Sequence, residues 1–242
     1  MGATEHTQQA GEAFYHKHGV FPLCAGRLGR FRDQITDRME QELSPGRSVR
    51  ALLMLATLLH ACPETSPTTP QPQLPDTASH GSHASALIQQ QTAALKLASV
   101  ESAFVQHIVQ CHTLPARHYS SPPMTARELH IYFRTTKAVG REVCLLSLAD
   151  TLAHAATTLK QSAWIAAVDR SVEIFEAFHL SHNVIVQPER LLTGDEVMAA
   201  LQLPQGRALG QLLIGLSEEQ AAGELTTKAE ALEWVRLRAQ EA

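Results

Sequence analysis

Apolar residues toward the C-terminus recur at three- and four-residue steps, the spacing that places side chains on one face of a helix. The pattern starts after Thr193 and Glu196, which stand at the spacing of a capping box, where a hydroxyl and a carboxylate bind the first free amides of a helix. Pro204, Gly206 and Gly223 interrupt it, because such residues leave a helix readily. The sequence therefore predicts three helices here, with core-facing positions at Val197, Met198, Leu201, Leu209, Leu212, Leu213, Leu216, Leu232 and Val235.

Most of the remaining chain also has a helical pattern. Capping pairs recur at Thr125–Glu128 and Thr227–Glu230, each before an apolar run. Residues 47–60 are apolar almost throughout and are not enriched in β-branched side chains, so we predict a buried helix there. No sheet is predicted. Further helices are expected over 12–43, 83–98, 100–111, 143–159 and 164–180, with a turn at 44–46 and a short extended segment at Val184–Val186.

Residues 63–82 depart from this pattern. They are rich in Pro, Ser and Thr and show no apolar periodicity, a composition that favours mobility over regular structure. We expect a flexible loop within one domain, because the helices on both sides carry faces that they cannot bury alone. The alternative interpretation is a linker between two domains.

The composition narrows the classes of function. The 24 acidic residues outnumber the 20 Lys and Arg residues, which argues against wrapping nucleic acid by bulk charge. The four cysteines are far apart and form no CxxC pair, as expected for reduced cysteines of a cytosolic chain. The chain has no apolar run that could span a bilayer and no basic-then-apolar signal segment. A cytoplasmic location without membrane contact is therefore expected.

The C-terminal helices carry a specific order of residues. From Leu191 the chain reads LLTGDEVMAALQLPQGRALGQLL, and from Glu218 it reads EEQAAGELTTKAEALEWV. These two segments resemble the helical tail of class II tRNA nucleotidyltransferases, the CCA-adding enzymes and bacterial poly(A) polymerases. In that family the tail helps to hold tRNA. The resemblance implies an all-α chain with an HD-like helical domain over 1–187 and a small helical tail domain over 188–242.

The resemblance extends upstream, into the HD-type domain of that family. Residues 48–60 resemble the helix that ends in its His-Asp pair, and 145–153 resemble the helix that carries its last aspartate, here Asp150. The other histidine positions of the domain correspond to His6, His83 and His112.

In HD domains that hydrolyse phosphoesters, the His-Asp pair binds a metal ion, and its carboxylate can bridge two ions. Here the pair reads His60-Ala61, and a methyl group cannot be a ligand. We therefore expect no cofactor and no catalytic residue, although a divalent ion held weakly remains an alternative. An Asp in an apolar helix is costly unless it is paired, so we also expect Asp150 to contact His60 or His83 without catalysis. The candidate metal set is His6, His60, His83 and Asp150.

Other catalytic signatures are absent from the sequence. It contains no Walker or Rossmann glycine motif and no nucleophile elbow. Nucleotidyl transfer in the family uses two magnesium-binding carboxylates after a Gly-rich turn in an N-terminal head domain, and the chain shows no such segment. CCA addition and polyadenylation are therefore not expected of this chain alone, and a separate nucleotidyltransferase head is a possible partner.

Candidate RNA contacts come from a basic stretch between residues 117 and 141, in which four of the five cations have spacings that can share one helical side. A second candidate site is formed by the helix starts of the tail, whose free amides and positive dipole suit a phosphate. The alternative interpretation of the basic stretch is a solvated helix face. The candidate residues are Arg117, Arg127, Arg134, Lys137, Arg141, Thr193 and Arg207.

Three functional hypotheses follow from the sequence. The first is a non-catalytic module that binds RNA, with tRNA as the first choice and no binding of DNA. The second is a residual metal-dependent HD-type phosphohydrolase. The third is a scaffold subunit for a separate nucleotidyltransferase head, which would dock on apolar helices left exposed in its absence.

Overall fold

The structure, a computed structural model, describes residues 19–60, 88–119, 123–155 and 158–240. It is mostly helical, with a small two-stranded hairpin. The described residues fall into two compact units. The first unit is drawn from Met1–Ser120 and Thr136–Val172, and the second from Ser121–Thr135 and Glu173–Ala242. The domain boundary predicted between residues 187 and 188 stays a prediction.

The helices follow the predicted order along the described chain. They are α1 Val20–Leu28, α2 Arg32–Glu40, α3 Val49–Leu59, α4 Ser99–Cys111, α5 Ala126–Thr136, α6 Gly140–Ala155, α7 Gln161–Leu180, α8 Gly194–Leu201, α9 Arg207–Ala222 and α10 Lys228–Gln240. Residues 88–94 are also helical. Short 3-10 turns lie at Gly29–Phe31, Pro115–His118 and Lys137–Val139. The predicted loop over 63–82 lies outside the described residues.

A hairpin corrects the expectation that the chain contains no sheet. Strand β1 covers Glu42–Ser44 and pairs antiparallel with β2, Arg47–Ser48. The predicted turn lies between them, and Gly46 takes a φ of +74°, which a residue without a Cβ adopts at little cost. Because this tight turn reverses the chain, the flanking backbone pairs with itself, and α2 ends at Glu40 instead of running to residue 43.

Helix α3 of the first unit buries only one of its faces. Val49, Leu52 and Ala56 are buried, whereas Met54 is 61% and Leu58 71% exposed. The predicted helix is confirmed, but its burial holds for one face only, because Met54 and Leu58, four residues apart, share a second apolar face that is exposed.

In the second unit the predicted helix caps are confirmed. The Glu196 amide donates to Thr193 Oγ1 at 3.3 Å, and Glu196 Oε2 accepts from the Thr193 amide at 2.9 Å. Thr227 and Glu230 repeat the exchange at 3.3 and 3.0 Å. Gly223 ends α9 with a φ of +78°.

The core of the second unit is built from the predicted apolar faces. Trp234 of α10 lies so close to α9 that a Cβ on Gly215 would stand 2.8 Å from its ring. A glycine at that position therefore allows the two helices to approach. The buried core residues are Leu192, Val197, Leu209, Leu216, Ala231 and Val235, with Met198, Leu201, Leu212, Leu213 and Leu232 partly buried against them.

The segment that follows α7 was predicted to be extended and instead forms a π-helix, His182–Val186. The Gln187 amide donates to the His182 carbonyl at 2.8 Å, five residues back, which is the hydrogen bond of that wide turn. The β-branched residues of this segment suit a strand, but the second unit offers no partner strand among its described residues. None of the helices in the described ranges combines the length and hydropathy needed to cross a membrane.

Candidate functional site

The first candidate site lies where α3 ends beside α6. His60 follows the last residue of α3, and its Nε2 lies 3.0 Å from Oδ1 of Asp150. His154, one turn further along α6, places its Nδ1 2.9 Å from the same oxygen. The expectation that Asp150 has His60 as its partner is confirmed, whereas the alternative partner His83 lies outside the described residues.

Both nitrogens of His60 face hydrogen-bond acceptors within the protein. Its Nδ1 lies 2.6 Å from the Thr57 carbonyl, and its Nε2 lies 3.0 Å from the Asp150 carboxylate. A neutral imidazole carries hydrogen on one nitrogen only, so the neutral ring donates to one of these two acceptors at a time. A metal ion at Nε2 would have to displace the contact with Asp150. The ring of His112 lies edge-on to that of His60, with ring centroids 5.3 Å apart.

We name His60, His112, Asp150 and His154 the histidine cluster. In the part of the chain that the structure describes, no group of three or more His, Cys, Asp or Glu side chains is arranged to hold a metal ion. His6, His83 and the substituted position Ala61 lie outside the described residues. A metal at the predicted set stays a prediction.

The predicted basic stretch does not follow one helix. Helix α5 ends at Thr136, and Lys137 takes a left-handed φ of +52° before α6 begins at Gly140. These cations therefore do not lie on one continuous helix, because the α-helical backbone is interrupted between Thr136 and Gly140. Residues 127 and 134 belong to the second unit, and residues 117, 137 and 141 to the first.

The surroundings of these cations differ between the units. In the first unit Arg117 and Lys137 are exposed, whereas Arg141 is half-buried, and burial lowers the pKa of its guanidinium. In the second unit Arg127 forms an ion pair with Glu219, and Arg134 forms one with Glu218. Two of the five predicted cations thus already have an anionic partner on α9.

A cleft in the second unit brings Arg127 close to an aromatic ring. Its volume is about 800 Å³, and Trp234 and Arg238 of α10 line it together with Arg127. The Arg238 guanidinium lies over the Trp234 ring, 5.5 Å from its centroid. Sequence reasoning missed these two residues, although their spacing of four on a helix was a usable signal. We name this site the tryptophan cleft; its wall also includes Leu203, Ala208, Gln211, Leu212, Gly215, Glu218, Glu219 and Ala239.

The charge of the second unit does not favour polyanions in general. Its sequence holds seven Lys and Arg against twelve Asp and Glu. In the tryptophan cleft, two arginines stand against Glu218 and Glu219. Any contact with RNA here must therefore come from placed groups and stacking, since bulk attraction is absent.

The predicted helix starts of the tail are partly engaged. The amides of Thr193 and Glu196 are bonded within the capping box. Arg207 is exposed at the first position of α9, after Gly206. Both residues are exposed, and Thr193 is the one whose side chain is already bonded within the capping box.

The cysteines do not supply a reactive thiolate among the described residues. Burial raises the pKa of Cys144 to about 12 and also raises the pKa values of Cys24 and Cys111. Cys111 is buried, and the thiol form of all three is favoured.

No protein-family model matches the chain, and no curated protein or solved structure gives a significant match.

Proposed function

We propose that the chain is a non-catalytic, helical RNA-binding module related to the C-terminal region of class II tRNA nucleotidyltransferases, with tRNA as its first candidate ligand. In this proposal an HD-like helical domain is followed by the small helical tail. Support comes from the quoted tail motifs and from the helices α8, α9 and α10, whose caps and ends coincide with the residues that the motifs single out.

The observation that carries the proposal is the tryptophan cleft. A nucleobase can stack on an aromatic ring whatever its sequence, and guanidinium groups bind the adjoining phosphates. Trp234, Arg238 and Arg127 supply both kinds of group in one open concavity. Because the second unit as a whole is acidic, RNA binding there requires a local site, and this cleft supplies one.

The histidine cluster supports the non-catalytic part of the proposal. Its central contact joins His60 to Asp150, while the family's bridging carboxylate is replaced by Ala61. We assign this contact a structural role, holding the end of α3 against α6.

The test is binding of tRNA by the full chain, measured by fluorescence anisotropy across a salt series. Arg238→Ala should weaken binding about tenfold, the effect of one charge-assisted hydrogen bond. Arg236→Ala is the matched control, because Arg236 is an exposed arginine of the same helix that does not line the cleft. Absence of tRNA binding, or equal effects of the two variants, would refute the proposal.

A second variant tests the acidic partners in the cleft. Glu219→Gln removes the anion that pairs with Arg127 and should therefore tighten RNA binding about twofold to threefold at low salt. Arg117→Ala with Lys137→Ala measures the contribution of the two exposed cations predicted in the first unit. Binding that weakens in Glu219→Gln would show that the ion pair itself orients Arg127.

A residual HD-type phosphohydrolase is the second candidate, because His60 Nε2 and Asp150 Oδ1 are 3.0 Å apart, a spacing at which both could bind one divalent ion that displaced their direct contact. This function requires a divalent ion at that pair. Metal analysis of the purified chain, with turnover of a generic phosphodiester in manganese or nickel, tests it directly. Activity that is lost in Asp150→Asn would replace the RNA-binding proposal with this one.

A further inference from the structure

The second unit has a second concavity, about 580 Å³ in volume, which shares no lining residue with the tryptophan cleft. A buried histidine and a serine meet at its wall: His130 is 5% exposed, and its Nε2 lies 3.0 Å from Ser217 Oγ. The concavity, which we name the serine pocket, is lined by His130, Asn183, Val186, Gln187, Pro188, Glu189, Arg190 and Ser217.

The tautomer of His130 follows from its second contact. Nδ1 lies 2.7 Å from the Ile185 carbonyl, which can only accept, so Nδ1 carries the hydrogen of the neutral ring. Nε2 then accepts the hydroxyl hydrogen of Ser217. The serine oxygen keeps its lone pairs, so at the wall of the pocket it acts as an acceptor for a ligand N–H or O–H group.

Two features hold the opposite wall in place. The π-helix His182–Val186 contributes Asn183 and Val186, and wide turns of this kind often occur at functional sites. Gln220 of α9 fixes the segment that follows, because its Nε2 donates to the Glu189 carbonyl at 2.7 Å and its Oε1 faces the Leu191 amide at 3.5 Å. The polar groups of the pocket therefore sit on anchored backbone.

The lining groups define the chemistry of a ligand. Arg190 is the cation of the pocket, Glu189 is its anion, and the amides of Asn183 and Gln187 each offer donors and an acceptor. One guanidinium beside one carboxylate suits a single negative charge and disfavours a triphosphate. Asn and Gln amides match the edge of an unpaired base, and Ser217 accepts from an exocyclic amine or a ribose hydroxyl.

We propose that the serine pocket binds one unpaired ribonucleotide of an RNA strand, with its phosphodiester on Arg190 and its base or ribose donor on Ser217. This inference rests on the proposed RNA-binding function and adds to it a preference for single-stranded over duplex RNA. The acidic surface of the unit permits this mode of binding, since a single splayed nucleotide carries only one negative charge.

The test uses the full chain with ¹⁵N-labelled histidine, titrated with adenosine and uridine 5′-monophosphates and with single-stranded RNA hexamers. NMR should show a shift of the His130 ring resonance, assigned with His130→Asn. Asn183→Ala and Arg190→Gln should each weaken hexamer binding about fivefold to tenfold. Arg236→Gln, an exposed arginine outside the pocket, is the control, and thermal unfolding verifies that the variants are folded.

The outcomes separate this inference from the proposed function. If tRNA binds and responds to Arg238→Ala, while neither hexamer nor monophosphate shifts the His130 signal, the pocket proposal is overturned and the RNA-binding function stands. Equal binding of a hexamer and of the matching RNA duplex, or equal effects of Asn183→Ala and Arg236→Gln, also overturns it. A shift of the His130 resonance with hexamers that is lost in Arg190→Gln supports it, even if Arg238→Ala leaves tRNA binding unchanged.

Discussion

Carboxylates serve different purposes in the two units. In the first unit Glu101 and Glu142 are buried, and they accept hydrogen bonds from Arg47 and Arg38 at 2.7 and 2.6 Å. In the second unit the carboxylate of Glu196 caps its own helix at the surface, as do those of Glu128 and Glu230. The buried carboxylates depend on protein partners, which for Glu101 include Ser44 and the Ala98 amide besides Arg47, whereas capping carboxylates at the surface have water as an alternative.

The two kinds of contact differ in how far apart their partners lie in the chain. Glu142 lies 104 residues from Arg38 in the chain, whereas Glu196 lies three residues from Thr193. Loss of a distant buried partner leaves an unpaired charge in the core, but loss of a cap exposes an amide to solvent. The first unit should therefore be the more sensitive of the two to loss of a single carboxylate.

The largest effect is expected at Glu142. Glu142→Ala leaves the Arg38 guanidinium, whose side chain is 13% exposed, without its buried anion, so the free energy of unfolding should fall by about 3–5 kcal/mol. Urea denaturation followed by circular dichroism measures this. Glu218→Ala, which breaks the more exposed pair with Arg134, is the control and should cost less than about 1 kcal/mol. Equal losses in the two variants would remove the distinction between the units.

The second-largest effect on stability is expected where α9 contacts α10. Gly215→Ala places a methyl group against the Trp234 ring, and overpacking of this kind should cost about 1–3 kcal/mol. Gly210→Ala in the same helix meets no atom within 4 Å and should stabilise the protein by up to about 1 kcal/mol, through helix propensity. Thermal unfolding and Trp fluorescence report both changes. A stabilising Gly215→Ala would mean that the ring moves aside without cost.

Loss of a cap should have a smaller effect. Thr193→Ala removes the hydroxyl that accepts from the Glu196 amide, and the free energy of unfolding should fall by about 1 kcal/mol. Thr193→Ser keeps the oxygen and should restore most of the stability. If the serine variant is as unstable as the alanine variant, the methyl group of Thr193 matters more than its hydrogen bond.

The smallest expected effect is a pH dependence at Glu196. Hydrogen bonds from Lys228 first, and then from Thr193, lower the pKa of Glu196 from 4.5 to about 2 in the folded chain. The stabilisation that this carboxylate provides is therefore present above pH 4.5 and is lost as the pH falls from about 4.5 to about 2. Glu196→Gln should lose less stability over that interval than the unchanged chain does, as measured by melting temperature. Parallel pH profiles would show that Glu196 has no such role.

Local rules predicted the helix ends of the second unit from sequence, because a cap involves residues three apart and Gly223 ends α9 through its own backbone freedom. Contacts between distant residues escaped prediction. The pair of Ser217 and His130 spans 87 residues, and no local pattern marks it. Asp150 is an intermediate case. Burying an unpaired carboxylate in an apolar helix is costly, so a partner for Asp150 was predicted, and the resemblance to HD domains made His60 one of its two candidates.

The element least visible in the sequence is the π-helix at His182–Val186, which contains one residue more per turn than an α-helix. Removing a single residue there would restore ordinary winding and rotate the following positions by about 100° around the helix axis. The Ile185 carbonyl would then leave His130, 55 residues away in the chain, and free that ring to exchange its hydrogen between nitrogens. The number of residues in this segment, and not only their identity, thus sets the polarity of a distant side chain, so insertions and deletions here carry information that a scan of point substitutions misses.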